Sequence, residues 1–272
     1  MVTKKVTFSK MSGSNNDFII VDNTKGRILR RSAFAKQVCQ RRLSVGADGL
    51  ILIERSRRAD FRMRIFNPDG SEAEMCGNGA RCAALFASKL VCSGRKNLTI
   101  NTMAGILDAR IMGADRVKLR MSDPMDIKKS FEISGGKKKY KLSFANTGVP
   151  HAVIFVGDIN KVDVCKIGKA IRYHSYFSPK GTNVNFVQVK DKDSIYIRTY
   201  ERGVEDETLA CGTGSVASAV ISWLEKGLLG RVNVYTRGGS ILTIHIENDG
   251  KRIHRVYLEG DVKQIYDGTL TI

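Results

Sequence analysis

The sequence contains no apolar run near the roughly 20 residues that a bilayer crossing takes, which argues against a membrane-spanning helix. It has no Cys-x-x-Cys pair and no His pair at zinc spacing, so its six cysteines, at 39, 76, 82, 92, 165 and 211, are not expected to bind a metal. Its glycine-rich turns lack the lysine of a phosphate loop and the third glycine of a dinucleotide fingerprint. Positive charge in Met1-Val2-Thr3-Lys4-Lys5-Val6 is followed by no apolar core, so no secretory signal is expected and the chain is predicted to be cytoplasmic. In that reducing compartment the cysteines are free thiols, and Cys39, Cys82, Cys92 and Cys165 are expected to be small buried apolar residues. Prolines number only four in 272 residues that are 42% hydrophobic, a composition able to bury real cores.

Positive charge is what the chain has in excess. The formal net charge of +18 is spread over Arg30-Arg31, Arg41-Arg42, Arg55 with Arg57-Arg58, Lys128-Lys129 and Lys137 to Lys139. These runs fall mostly in turns and on polar faces, and no nucleic-acid-binding signature accompanies them. No nucleic-acid partner is therefore predicted. A positive field also raises the encounter rate of an acidic small molecule.

Two stretches repeat each other: Glu74-Met75-Cys76-Gly77-Asn78-Gly79-Ala80-Arg81 and Leu209-Ala210-Cys211-Gly212-Thr213-Gly214-Ser215. Their cysteines lie 135 positions apart, about half the chain. The same offset relates Gly13 to Gly148 and Gly46 to Gly181, each of the latter pair preceding an apolar run. The chain thus reads as two copies of one module. Period-two alternation in 61–66, 116–121 and 194–199 predicts strands. Helices are expected at 33–42 and its copy 164–173, and after the cysteine turns at 80–91 and 215–226, with Gly227 and Gly230 as stops for the last.

The last pair of helices is apolar almost all round, so each must be enclosed on most sides. The fold class expected is α+β: two pseudo-symmetric domains from an internal duplication, each a curved, mainly antiparallel sheet wrapped around a central helix. The domains are expected at 1–121 plus 262–272 and at 122–261, with the final strand crossing back to the first module.

A helix N-terminus carries unsatisfied N–H groups and about half a positive charge. Glycines at 77, 79, 212 and 214 let an anion, most naturally a carboxylate, approach those groups closely. The same field favours a neighbouring thiolate. If the modules face each other across a cleft, Cys76 and Cys211 bracket one Cα. One thiolate then removes its proton while the opposite thiol delivers another, which inverts the centre without pyridoxal phosphate or metal. A second negative charge beside the first is costly, so the pair tends towards one thiolate and one thiol.

The motifs Lys10-Met11 through Asn16-Asp17-Phe18, Gly46-Ala47-Asp48-Gly49, Phe66-Asn67-Pro68-Asp69-Gly70, Met75 to Cys82, Pro150-His151, Tyr200-Glu201-Arg202-Gly203 and Thr208 to Gly214 resemble the diaminopimelate epimerase family over essentially the whole length. The resemblance implies a cofactor-independent enzyme that interconverts LL- and meso-diaminopimelate, in lysine and peptidoglycan precursor biosynthesis. It implies Cys76 and Cys211 as the acid/base pair, with Gly77, Asn78, Gly212 and Thr213 on the reacting carboxylate. Asn16, Asn67, Asn183 and Arg202 would recognise the distal end, Glu201 would hold an ammonium group, and His151 would support the site. Members of that family are often homodimers. Ser12, Asn15, Gly49 and Val149 depart from the common pattern, which bears on distal recognition rather than on the reaction. The nearest rival reading is a proline or hydroxyproline racemase, whose substrate has no second charged end to occupy Asn67, Asn183, Glu201 and Arg202.

Overall fold

The computed structural model describes residues 5–135, 138–250 and 252–271; Met1 to Lys4 and Lys137, read above as charged segments, lie outside the described residues. The chain divides into two compact units, Met1–Leu119 with Gly260–Ile272, and Arg120–Glu259.

In the first unit, strand Lys5–Gly13 pairs antiparallel with Asn16–Asp22, which runs parallel to Gly49–Glu54. Gly49–Glu54 pairs antiparallel with Phe61–Phe66, which meets Glu72–Ala73 antiparallel and Asn97–Thr102 parallel. Asn97–Thr102 then continues antiparallel through Gly105–Ile111 towards Leu119. The second unit repeats this series: Lys138–Asn146, Pro150–Phe155, Asn183–Asp191, Ser194–Glu201, Asp206–Thr208, Arg231–Tyr235, Ile241–Asn248 and onward towards Glu259, with parallel pairing at the same two steps. The strand before the first is also matched. Met125–Gly135 pairs antiparallel with Lys138–Asn146, and the C-terminal strand Lys263–Thr271 does so with Lys5–Gly13.

Four α-helices complete the described residues: α1 (Arg31–Val38), α2 (Gly77–Leu90), α3 (Val164–Arg172) and α4 (Gly212–Lys226). Helix α2 touches the strands Lys5–Gly13, Asn16–Asp22, Gly49–Glu54, Phe61–Phe66, Asn97–Thr102 and Gly105–Ile111. Helix α4 touches the equivalent six, from Lys138–Asn146 to Ile241–Asn248. Every residue from Asn78 to Ser88 in α2 and from Gly214 to Ser222 in α4 is buried. Burying side chains such as Leu85, Phe86, Val220 and Ile221 contributes about 1.5–3 kcal/mol each, which explains how a helix with so little polar face is held inside a sheet.

Several local expectations are corrected. Helix α1 ends at Val38 rather than at 42, because Cys39 closes it and Arg42 turns left-handed at φ 70°. Both core helices begin at Gly77 and Gly212 rather than at 80 and 215, because the cysteine before each already takes the extended cap conformation. Gly227 does stop α4, at φ 66°. Gly230 does not; it lies against the Ile246 carbonyl, 3.0 Å from where a Cβ would sit, and so allows close strand approach. Cys39 and Cys82 are buried as expected, but Cys92 is only half-buried and Cys165 is exposed. Cys165 sits in the first turn of α3, on its solvent side, with Sγ 3.1 Å from Asp206 Oδ1.

The left-handed glycines differ in how much room surrounds them. A Cβ at Gly181 (φ 65°) would lie 2.5 Å from the Arg172 carbonyl, whereas one at Gly227 would meet nothing. Gly227→Ala should therefore cost only the conformational penalty of about 1 kcal/mol. Gly181→Ala adds overpacking and should cost about 2–4 kcal/mol. Urea unfolding of the two variants checks the order; equal losses would contradict it.

Candidate active site

Cys76 is the residue before α2, in extended conformation at φ −141°, ψ 118°, and its Sγ accepts from the Gly79 N–H at 3.5 Å. Gly79 packs under Ile51 and Ile65, 3.1 Å from either as seen from a notional Cβ, while Gly77 faces open space. The first turn is tied to the strand Asn16–Asp22: Asn78 Nδ2 donates to Asn16 Oδ1 at 2.6 Å, and Asn16 Nδ2 donates to Asp48 Oδ2 at 3.1 Å. Behind Asn16, Asp17 pairs with Lys10 at 2.7 Å and with Arg41 at 2.8 Å. Burial works against its charge, but hydrogen bonds from those cations prevail and hold its carboxyl down at about 2. Asn15 adopts φ 68°, the left-handed turn for which an asparagine is suited. The structure thus groups Cys76, Gly77, Asn78 and Asn16. Asn67 stands in the exposed turn after Phe61–Phe66, where it donates to Ser71 Oγ at 2.9 Å.

Cys211 occupies the matching place before α4, at φ −120°, ψ 112°, with Sγ 3.6 Å from Thr213 Oγ1. The turn is fixed by Ser215 Oγ, which donates to the Cys211 carbonyl at 2.8 Å, and by Thr147 Oγ1, which donates to the Thr213 carbonyl at 3.1 Å. Burial, reinforced by the charge of Glu201, pushes the Cys211 thiol up to about 12, against the pull of its Thr213 and Gly214 donors. At neutral pH it holds its proton. Glu201 itself is raised by burial. Asn183 Nδ2 donates to the Pro150 carbonyl at 2.9 Å and its Oδ1 accepts from the Arg202 N–H at 2.8 Å, which ties together Asn183 and Arg202 of the expected distal set.

His151 is wholly buried, and Asn185 Nδ2 donates to its Nδ1 at 3.1 Å. Burial first, and the charge of Arg202 second, push the imidazole down to about 3, so it is neutral at physiological pH. A group with a depressed folded-state pKa stabilises the fold above its unfolded value, near 6.5, and loses that contribution as pH falls towards 3. His151→Gln should therefore shrink the stability drop between about pH 7 and about pH 4.5 by on the order of a kcal/mol or more. Urea unfolding at both values measures it, and an undiminished drop would contradict the assignment.

The sequence reading missed three residues. Arg81, the fifth residue of α2, is 0% exposed and donates through one terminal nitrogen to Ser14 Oγ (2.7 Å) and Asn78 Oδ1 (3.0 Å). Asn185 binds His151, the Ala152 carbonyl and Thr199 Oγ1 at 3.0–3.1 Å and lies against Gly214. Thr147 fixes the Thr213 carbonyl. The signal for Asn185 was a lone amide inside the apolar run Val184-Asn185-Phe186-Val187. Among the described residues, no group of three or more His, Cys, Asp or Glu side chains could hold a metal ion, and no helix is long and apolar enough to cross a membrane.

Comparison with known proteins gives one family. The family model described as diaminopimelate epimerase matches residues 8–126 and again 143–265. Diaminopimelate epimerases of Hydrogenobaculum sp. and Aquifex aeolicus are each 45% identical to this chain, covering 97% of it and 98% and 97% of their own lengths. That of Methanocella arvoryzae is 43% identical over 98% of both chains. Among solved structures, a phenazine biosynthesis protein of the PhzF family from Bacillus anthracis superposes with TM-score 0.72 at 16% identity, covering 99% of this chain and all of that one. A hydroxyproline epimerase from Agrobacterium vitis gives TM-score 0.69 at 15% identity, covering 100% of this chain and 92% of that one. Likeness at that identity shows the shared two-unit fold alone, whereas near-half identity over full length shows more: the chain belongs to the diaminopimelate epimerase family.

Proposed function

We propose that this chain interconverts LL- and meso-2,6-diaminopimelate by a two-base transfer at Cα, with Cys76 and Cys211 as the acid/base pair. The observation that carries the reading is the repeated cap: in both units a cysteine in extended conformation precedes a glycine turn and a buried helix. In the step itself a thiolate takes the Cα proton and becomes a thiol. The opposite thiol gives its proton to the other face of the same carbon and becomes a thiolate. The N–H groups of Gly77, Asn78, Gly212 and Thr213 hold the carboxylate whose charge grows as the Cα–H bond breaks. The thiol state of Cys211 at neutral pH suits it to donate.

At the distal end the reading assigns Asn16, Asn67, Asn183 and Arg202 to the second amino-acid head and Glu201 to its ammonium. An ammonium beside Glu201 would favour the ionised carboxylate that burial disfavours. His151 supports the site through Asn185 and Gly214. The chemistry needs neither pyridoxal phosphate nor metal, and it suits a cytoplasmic enzyme of lysine and peptidoglycan precursor synthesis with no nucleic-acid partner. Family members are often homodimers, and we extend that to this chain. Incubation of the purified, reduced protein with LL-diaminopimelate should yield the meso isomer on chiral separation. Turnover of proline without turnover of LL-diaminopimelate would overturn the reading.

A further inference from the structure

Arg81 occupies a position in α2 that packing alone would fill with an apolar side chain. At the 135-residue offset it corresponds to Val216 of α4, which is wholly buried. Arg81 is as deeply buried, yet its Nε and Nη1 have no hydrogen-bond partner among the described residues. A buried guanidinium short of partners is costly, so a side chain like that of Val216 would serve the helix better. What Arg81 does make is two hydrogen bonds through Nη2, to Ser14 Oγ at 2.7 Å and to Asn78 Oδ1 at 3.0 Å.

The second of these is the first link of a relay. Asn78 Nδ2 donates to Asn16 Oδ1 at 2.6 Å, and Asn16 Nδ2 donates to Asp48 Oδ2 at 3.1 Å. The relay leads from the buried guanidinium through buried Asn78 and half-buried Asn16 to exposed Asp48. The two ends of an asparagine amide have nearly the same shape, so what each end meets decides which is oxygen and which is nitrogen. Both terminal groups here are one-sided: a guanidinium only donates, and a carboxylate only accepts. Turning Asn78 over would set its NH2 against Arg81 Nη2, and turning Asn16 over would set its oxygen against Asp48 Oδ2. Both amides therefore point one way. Asp48 is itself fixed, its Oδ1 accepting from Arg41 Nη2 at 2.8 Å and its Oδ2 from the Asp17 N–H at 3.2 Å. The second unit lacks this control, since Val216 has no donor and Thr213, in the place of Asn78, has a hydroxyl that rotates to donate or accept.

We propose that Arg81 is a positioning residue for substrate binding, which acts through Asn78 to fix the end of the Asn16 amide that carries the donor. The inference rests on the role proposed for Asn16 at the distal end of the substrate. Asn16 Nδ2 gives one N–H to Asp48 and keeps a second for a substrate carboxylate. A donor already set in place costs the substrate no reordering on binding. The side chains of the relay serve binding rather than proton transfer, so loss of Arg81 should be felt in KM and not in kcat.

Steady-state kinetics with LL-diaminopimelate test this in Arg81→Met and Arg81→Gln, each alone and combined with Asn16→Ala. Arg81→Met should raise KM about tenfold, the loss expected when one hydrogen bond to a charged group is no longer held in place, with kcat within about twofold of wild type. Arg81→Gln keeps a polar side chain beside Ser14 and guards against loss of fold. It can turn either a donor or an acceptor towards Asn78, and should raise KM by about threefold or more. On top of Asn16→Ala neither change should add more than about twofold, because the residue it acts through is gone. An unchanged KM in both variants, or a rise as large with Asn16→Ala as without it, would overturn the proposal. Failure of the wild type to turn over LL-diaminopimelate would instead overturn the functional reading. The relay then stands or falls on hydrogen exchange of the Asn16 and Asn78 side-chain amides, followed by NMR in protein labelled with 15N-asparagine. Exchange should be about tenfold faster or more in Arg81→Met, and equal rates would overturn the relay whatever the substrate.

Discussion

Cys76→Ala and Cys211→Ala should each reduce epimerisation by about 10⁴-fold or more, at the top of the range for a positioned acid or base, while the fold survives. Inversion needs a proton taken from one face and returned to the other, so one sulfur cannot stand in for its partner. The folds should hold because neither side chain is what starts its helix. Cys76 Sγ makes one long contact to the Gly79 N–H, and Cys211 Sγ has only the long 3.6 Å contact to Thr213 Oγ1 within its turn. The turns are fixed by other groups: Asn78 with Asn16 in one unit, Ser215 and Thr147 in the other. The helices are anchored along their buried lengths. Circular dichroism and chiral product analysis on each variant check both halves. A variant with native spectrum and retained inversion would contradict the roles given to these residues.

The second large effect is expected at Gly214. A Cβ there would overlap Asn185 Oδ1 and lie 3.3 Å from Cys211 Sγ. Asn185 cannot retreat cheaply, since its oxygen accepts from Thr199 and its nitrogen donates to both His151 and the Ala152 carbonyl. Gly214→Ala should cost about 2–3 kcal/mol through overpacking. It should also lower kcat by about 10²-fold through a displaced thiol. Gly77→Ala is the contrast, because nothing surrounds its Cβ position; stability should stay near wild type while carboxylate binding weakens. Melting temperature and steady-state kinetics on the pair distinguish crowding from lost anion access. Equal melting temperatures for the two variants would contradict the packing argument.

The duplication was legible because it rests on one-dimensional signals: two cysteines ahead of glycines at one offset, and strands with clean alternation. Phe61–Phe66 shows the rule, its odd positions buried and Arg62 exposed. The same one-dimensional reading placed helix starts three residues late, because the glycines that disfavour a helix interior are tolerated in a first turn. Cys165 was misplaced because a small thiol carries no preference strong enough to reveal which side of α3 it faces. Arg81 was invisible for the opposite reason. Arginine is almost always exposed, so only the enclosing strands could show that this one is buried. The polar support behind the thiols, Asn185 to His151 and Asp17 to Lys10 and Arg41, joins side chains on different elements and needs coordinates to be seen.

Two different sulfurs are expected to serve the two faces of one carbon. A single turnover of LL-diaminopimelate in heavy water, with both the product and the recovered substrate examined for label at Cα, distinguishes two bases from one. Deuterium should appear in the meso product, delivered by the thiol that had exchanged with solvent, and none at first in the recovered substrate. Early label in the substrate would show one exchangeable base working both faces, and the two-sulfur mechanism would be wrong.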